Sequence, residues 1–461
     1  MFSRRLKTGY FALEALNSFA TVYYFYYLYF FMQKVYGFGN KTNLMLAALN
    51  GASYALFAWW AGKFAQRYGY FNALKLGFAI MIGALAIGSQ MRLAGGHIVT
   101  MVLTVLGMSF TWPTLEALIS EGEPRAGLQH MVGIYNVVWA ATAAVANFSG
   151  GAMLEELGLH SLFYVPIGAQ LIQLGLTLWL ESEARPSPKF SQASKAARER
   201  GEAPGAPRLP ALFEDASNPP AQNAGTRRIP DTSRGALLSA PMAGEIPAPP
   251  PLWASLAGNL EPEKAVRQVP RGLTTSKAKT FLRMAWLANP FAYIGINTLI
   301  AVIPGVARRL DLTTMTAGFC CSVWCFSRVG AFVVLWLWDA WHYRFRWLLA
   351  AYVGLIGSFS TILLAPNLVV LISAQLLFGI AVGLIYYSSL FYSMDSSDTK
   401  GEHGGIHEAV IGLGNFAGPA VGAAALQFLP QYTYSGALAV TALLLCGLGG
   451  LTAIWRTGKV R

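Results

Sequence analysis

Twelve stretches of this chain are each apolar over about 20 residues, the length a helix needs to cross a hydrocarbon layer about 30 Å thick. They run 9–32, 43–62, 73–91, 97–119, 130–153, 160–180, 283–306, 314–338, 346–365, 367–392, 404–428 and 433–455. Backbone placed in hydrocarbon finds no water to bond, so such stretches close their hydrogen bonds internally as helices. Composition agrees. Charged residues make up 12% of the chain, against about 25% in soluble domains. The fold class predicted is an all-α membrane protein of twelve transmembrane helices.

The formal net charge of +12 does not point to nucleic acid. No zinc-finger spacing or nucleic-acid motif is present, and the basic residues lie between the apolar stretches. With the amino terminus taken as cytoplasmic, thirteen Lys and Arg outside the long linker fall on the inner side, Arg4, Arg5 and Lys7 among them. Five fall outside: Lys34, Lys41, Arg92, Arg308 and Arg309. That bias predicts both termini and the linker inside, in a multi-pass protein of the cell (inner) membrane. Arg4, Arg5 and Lys7 precede the first stretch without a small-residue cleavage site, so it reads as a membrane helix and not a signal peptide. Cys320, Cys321, Cys325 and Cys446 all lie in apolar stretches. They read as small buried side chains, since a metal site would need His or carboxylate partners those stretches lack.

The segment 181–280 holds 15 of the 23 prolines, including Pro247-Ala248-Pro249-Pro250-Pro251. It cannot bury enough apolar surface to offset its ordering entropy, which predicts a disordered linker, with a short helix around Ser191–Arg200. Its 14 Lys and Arg against 10 Asp and Glu between Glu181 and Leu282 fit weak attraction to anionic headgroups. The chain thus divides into 1–180, 181–280 and 281–461. The outer segments repeat at an offset of 272: Gly107 with Gly379, Gly133-Ile134 with Gly405-Ile406, Gly150 with Gly422, Asn17 with Asn289. Two parallel repeats place a binding site between the halves near mid-membrane.

The loop Gly62-Lys63-Phe64-Ala65-Gln66-Arg67-Tyr68-Gly69 resembles the Gly-x-Leu-Ala-Asp-Arg-x-Gly-Arg-Arg/Lys motif of the major facilitator superfamily. Gln66 stands at the acidic position, and Tyr70 and Phe71 replace the basic pair. Ala146-Asn147-Phe148-Ser149-Gly150-Gly151 resembles the family's Gly-rich fifth helix, commonest among drug–proton antiporters, where small residues allow close helix approach. The resemblance implies two six-helix bundles rocking around a central cavity, a monomer, and a cytoplasmic gate at Gly62, Arg67 and Gly69.

Charges at membrane depth are costly, which shortens the list of residues that carry chemistry. Arg328 falls mid-helix in Cys325-Phe326-Ser327-Arg328-Val329-Gly330. It is either a cavity cation for an anionic substrate group or for a proton-carrying carboxylate, or a structural ion pair or helix-carbonyl cap that fixes packing. Glu14 heads a helical stripe through Asn17, Thr21 and Leu28, facing the cavity or hydrated near the edge. Glu116, after Trp112-Pro113, is a proton acceptor or a latch for Arg67, a role Glu121 and Glu123 can also fill. Glu408 with adjacent His407 is a proton relay or a gate contact. Trp112, Asn297, Thr298, Tyr386, Tyr387, Ser388 and Ser389 are uncharged cavity candidates. Pro113, Pro290 and Pro304 are candidate kinks. The aromatic run Tyr23 to Phe31 covers every face of its helix, so part is expected to face lipid, with one or two rings in the cavity.

No Gly-x-x-x-x-Gly-Lys-Ser/Thr loop, His-Glu-x-x-His or strand-borne Gly-x-Ser-x-Gly is present, so ATP drive and enzymatic activity are not expected. The reading is a secondary transporter of a small organic solute, without cofactors, coupled to protons and exporting. Uptake of a sugar or organic anion, or a nontransporting sensor or scaffold acting through the linker, are the alternatives.

Overall fold

The computed structural model describes residues 4–120, 125–184, 275–338, 340–395 and 400–459. These form thirteen helices and no strand. They are α1 (Arg4–Tyr36), α2 (Asn40–Tyr68), α3 (Tyr70–Gly88), α4 (Ala94–Ser120), α5 (Arg125–Glu156) and α6 (Ser161–Ala184), then α7 (Thr275–Arg309), α8 (Thr314–Cys321), α9 (Val323–Leu337), α10 (Phe345–Leu364), α11 (Leu368–Asp395), α12 (Lys400–Phe428) and α13 (Ser435–Lys459). The predicted linker helix around Ser191–Arg200, and the rest of 185–274, lie outside the described residues.

Eleven spans are long and apolar enough to cross a membrane, one of them Thr314–Leu337, made of α8 and α9 together. The twelfth is α1, 33 residues long; its tyrosines lower its apolarity without shortening it. Most helices outrun their predicted apolar stretches, because hydropathy falls at the first charged residues while the hydrogen-bonded backbone continues into the headgroup layer.

Local chemistry explains the breaks. A single residue, Gly69, separates α2 from α3 at φ 91°, its N–H donating to the Ala65 carbonyl. Only glycine takes that conformation without strain, which accounts for the glycine in the loop motif. The eighth span breaks at Ser322 without a proline. The Ser322 hydroxyl donates to the Phe319 carbonyl at 3.0 Å, a back-bond of the kind that bends helices, and α9 restarts behind it.

The two halves pack alike. In the first, α1 contacts α4, α5 and α6, α3 contacts α4 and α6, and α2 contacts α4. In the second, α7 contacts α11, α12 and α13, α10 contacts α11 and α13, and α9 contacts α11. Six places on in span order, each pairing recurs, as the 272-residue repeat predicts.

The aromatic run departs from expectation. Tyr23, Tyr24, Tyr27, Tyr29, Phe30 and Phe31 are all buried, and Phe25 and Tyr26 are partly so. Most of the run is buried because α1 is walled by α4, α5 and α6 and touched by α7. The lipid-facing apolar surface comes from side chains such as Leu56, Trp59, Trp60 and Val369. Cys446 is exposed on α13, whereas Cys321 and Cys325 are buried as expected.

Candidate functional site

The halves meet along two seams, α2 on α12 and α5 on α8 and α9. Glycine sets both. A Cβ on Gly51 would fall on the backbone of Asn415, one on Gly412 on Ala55, and one on Gly151 on the Thr314 carbonyl. Side chains at these crossings would hold the helices apart, so the Gly-rich stretch of α5 serves the close approach expected of it.

Three carboxylates converge beside the α2–α12 seam. Glu408, in the first third of α12, is buried and accepts a hydrogen bond from the Tyr54 hydroxyl of α2 at 2.5 Å. That bond joins one half to the other. Glu14 of α1 is fully buried, and neither carboxylate oxygen has a hydrogen-bond partner. Glu116 of α4 is half-buried. All three lie within electrostatic reach of one another, with Tyr135 beside Glu14. Among the described residues none of them pairs with a Lys, Arg or His, whereas half-buried Glu181 has Lys75 at 2.9 Å. Uncompensated buried charge costs several kcal/mol per ion, so the arrangement is not one that packing alone would favour.

Arg328 of α9 is 6% exposed. Its guanidinium carbon lies 4.6 Å from the centroid of Trp139 and 4.8 Å from that of Trp324, and its Nε has no hydrogen-bond partner. Trp139 comes from α5, so this clamp also spans the halves. Its indole N–H donates to Asn136 Oδ1 at 3.1 Å, and its ring meets Trp112, Phe332 and Tyr386 edge-on. Cation–π contact is worth about 2 kcal/mol when desolvated. Of the two sequence readings of Arg328, a structural ion pair is not made among the described residues.

Tyr293 and Tyr386 join the two charged groups. Their rings are 6.4 Å apart. Tyr293 lies within reach of both Arg328 and Glu408, and Tyr386 within reach of all three carboxylates. The result is one polar layer across the interface, acidic at one end and cationic at the other.

The remaining predicted residues fall around it. Asn17 accepts from the Thr111 hydroxyl at 3.3 Å, and its Nδ2 is unpartnered. Thr21 is buried, but its hydroxyl donates to the Asn17 carbonyl at 2.7 Å, so it serves its own helix. Asn297 bonds Asn415, tying α7 to α12. Tyr387 packs on Phe332 and Trp341. Gly69 forms the α2–α3 turn, and Gly62 lies within α2, two helical turns before it. Arg67 is exposed beside the Tyr68 ring at 5.4 Å and makes no ion pair with Glu116 in this conformation. The His407 side chain and Glu121 and Glu123 lie outside the described residues. Sequence reasoning passed over Tyr54, Tyr135, Trp139, Tyr293 and Trp324. Only Asn136 carried a signal, as the counterpart of Glu408 at the 272 offset.

Comparison with known proteins fits this architecture. A curated relative, the tetracenomycin C resistance and export protein of Streptomyces glaucescens, is 27% identical over 137 residues. That match takes in 29% of this chain and only 25% of that protein. The crystal structure of a peptide transporter aligns with a TM-score of 0.61 at 13% identity, covering 98% of this chain and 94% of that one. A nucleoside transporter aligns at 0.60 and 12% identity, covering 99% of each. At such identities the likeness is one of fold. The profile of the Major Facilitator Superfamily matches residues 85–419, well over half of the chain. With its repeated halves, its interfacial polar layer and this match, the chain belongs to the Major Facilitator Superfamily.

Proposed function

We propose that this protein is a proton-driven exporter of a small organic solute, working by alternating access as a monomer in the cell membrane with both termini cytoplasmic. The observation that carries this reading is the Glu14–Glu116–Glu408 set, contributed by both halves and free of ion pairs among the described residues. When the interface opens to water on one side, these carboxyls exchange protons with it. When the halves close, leaving them charged costs several kcal/mol, so closure and protonation are linked. The Tyr54–Glu408 bond is the direct coupling, because sliding α2 against α12 breaks it. The partial likeness to an export protein supports the direction.

The test uses liposomes holding the purified full-length chain and a trapped pH dye. Aromatic acids, sugars and lipophilic cations are added in turn. For at least one class, protons should move opposite to the solute. The movement should vanish in a Glu14→Gln/Glu116→Gln/Glu408→Gln triple variant. Solute flux without proton movement, or an unaltered triple variant, would sink the proposal.

Arg328 between its indoles favours a second reading, proton-coupled uptake of an organic anion. The same assay separates the two, since in symport the protons move with the solute.

A further inference from the structure

Away from the polar layer, a cavity of about 330 Å³ opens at the end of α7 where that helix leaves the membrane, on the face opposite the amino terminus. Its size falls in the range of small-ligand sites, about 300–1,000 Å³. Arg308 and Arg309 line it and are exposed, whereas Thr298, which also lines it, is 1% exposed. The cavity thus runs from a cationic mouth to a buried floor, about 16 Å along α7 at 1.5 Å per residue. The walls between are apolar, with Val302, Leu363 and Leu426 among them.

Two features point to a ligand there. The first turn of α13 lines the cavity through Gly436 and Ala437, and a helix N-terminus attracts anions. Two guanidinium groups stand at the mouth. Arg309 donates to the Ala365 carbonyl at 3.2 Å, which orients it and leaves other donors free. Arg308 makes no ion pair among the described residues. Asp311, the nearest acid in sequence, does not line the cavity.

We propose that this vestibule binds an organic anion with an apolar body. The carboxylate or phosphate sits at Arg308 and Arg309 against the α13 N-terminus, and the body lies along Val302, Leu363 and Leu426. The site does not depend on proton coupling and is separate from Arg328. It holds either a solute leaving the protein or the headgroup of an anionic lipid.

Equilibrium binding to the purified full-length chain in non-ionic detergent tests this. The probes are phenyl phosphate and phenylbutyrate, with phenyltrimethylammonium as the cationic control. Both anions should bind, and the cation should not. Arg308→Gln should weaken anion binding about tenfold. Val302→Trp, which fills the cavity and leaves the charges in place, should abolish it. Equal binding of the cation, or anion binding unchanged in both variants, overturns the proposal. Each variant is checked for the wild-type melting temperature, and Val302→Trp guards against an Arg308 effect on charge alone. Repeating the titration in nanodiscs of neutral lipid, then with phosphatidylglycerol added, separates the sources. Competition by the anionic lipid identifies a headgroup site, and undiminished probe binding identifies a solute site.

Discussion

Arg328 is a residue whose energetics and use oppose each other. Its contacts with Trp139 and Trp324 return about 2 kcal/mol, less than the several kcal/mol of desolvating an unpaired ion. Replacing it with an apolar residue of similar length should therefore stabilise the protein. Arg328→Met is expected to raise unfolding stability by about 1–4 kcal/mol, read as a higher melting temperature, while transport of anionic solutes is lost. A destabilised variant that still transports would show that Arg328 is structural. Tyr54→Phe probes the other end of the layer. It removes a hydrogen bond to Glu408 worth about 0.5–1.5 kcal/mol at almost no change in volume. The variant should bind solute as wild type does in a thermal-shift assay, yet uncouple solute from protons in the liposome assay.

At the scale of the element, alternating access as proposed makes the seams the moving parts. Gly51 and Gly412 let α2 and α12 touch backbone to backbone, and Gly151 does so for α5 and α8. Gly151→Leu forces the helices apart and should cost about 1–3 kcal/mol by overpacking. It should also slow transport more than the equally bulky change at Gly83, where an added Cβ meets nothing within 4 Å. Equal transport rates for the two would mean the seam is not a moving part. The α2–α3 turn makes a separate prediction. Gly69→Ala places a side chain at φ 91°, which costs about 1 kcal/mol or more without steric conflict, as open space surrounds that position. Its effect should appear in melting temperature alone.

For the whole molecule, the question is whether the fold transports or signals. The helices on both sides of the linker form one compact unit, Met1–Ala184 with Arg267–Arg461, so the linker is not required to assemble the interface. Replacing 185–274 by a flexible Gly/Ser tether of about 30 residues, whose mean reach is about 30 Å, should leave transport within a factor of about two of wild type. Loss of transport with the fold intact by melting would favour the sensor reading.

The sequence by itself determined the number of spans, the repeat and the family motif. Each depends on local composition or on spacing along one chain: about 20 apolar residues make a span wherever they pack, and Gly69 is required by its own φ. It also brought out the charges, because an ion at membrane depth is conspicuous in any context. Tertiary structure alone decided what those charges meet. Tyr54 and Glu408 are 354 positions apart, and Trp139 and Arg328 belong to different halves. Which rings face such a charge depends on the rotation of each helix about its axis and on which helices cross, and neither is written in hydropathy. The aromatic run of α1 shows the same limit: a stripe on every face reads as partly lipid-exposed until neighbouring helices close around it, and here they bury most of its rings.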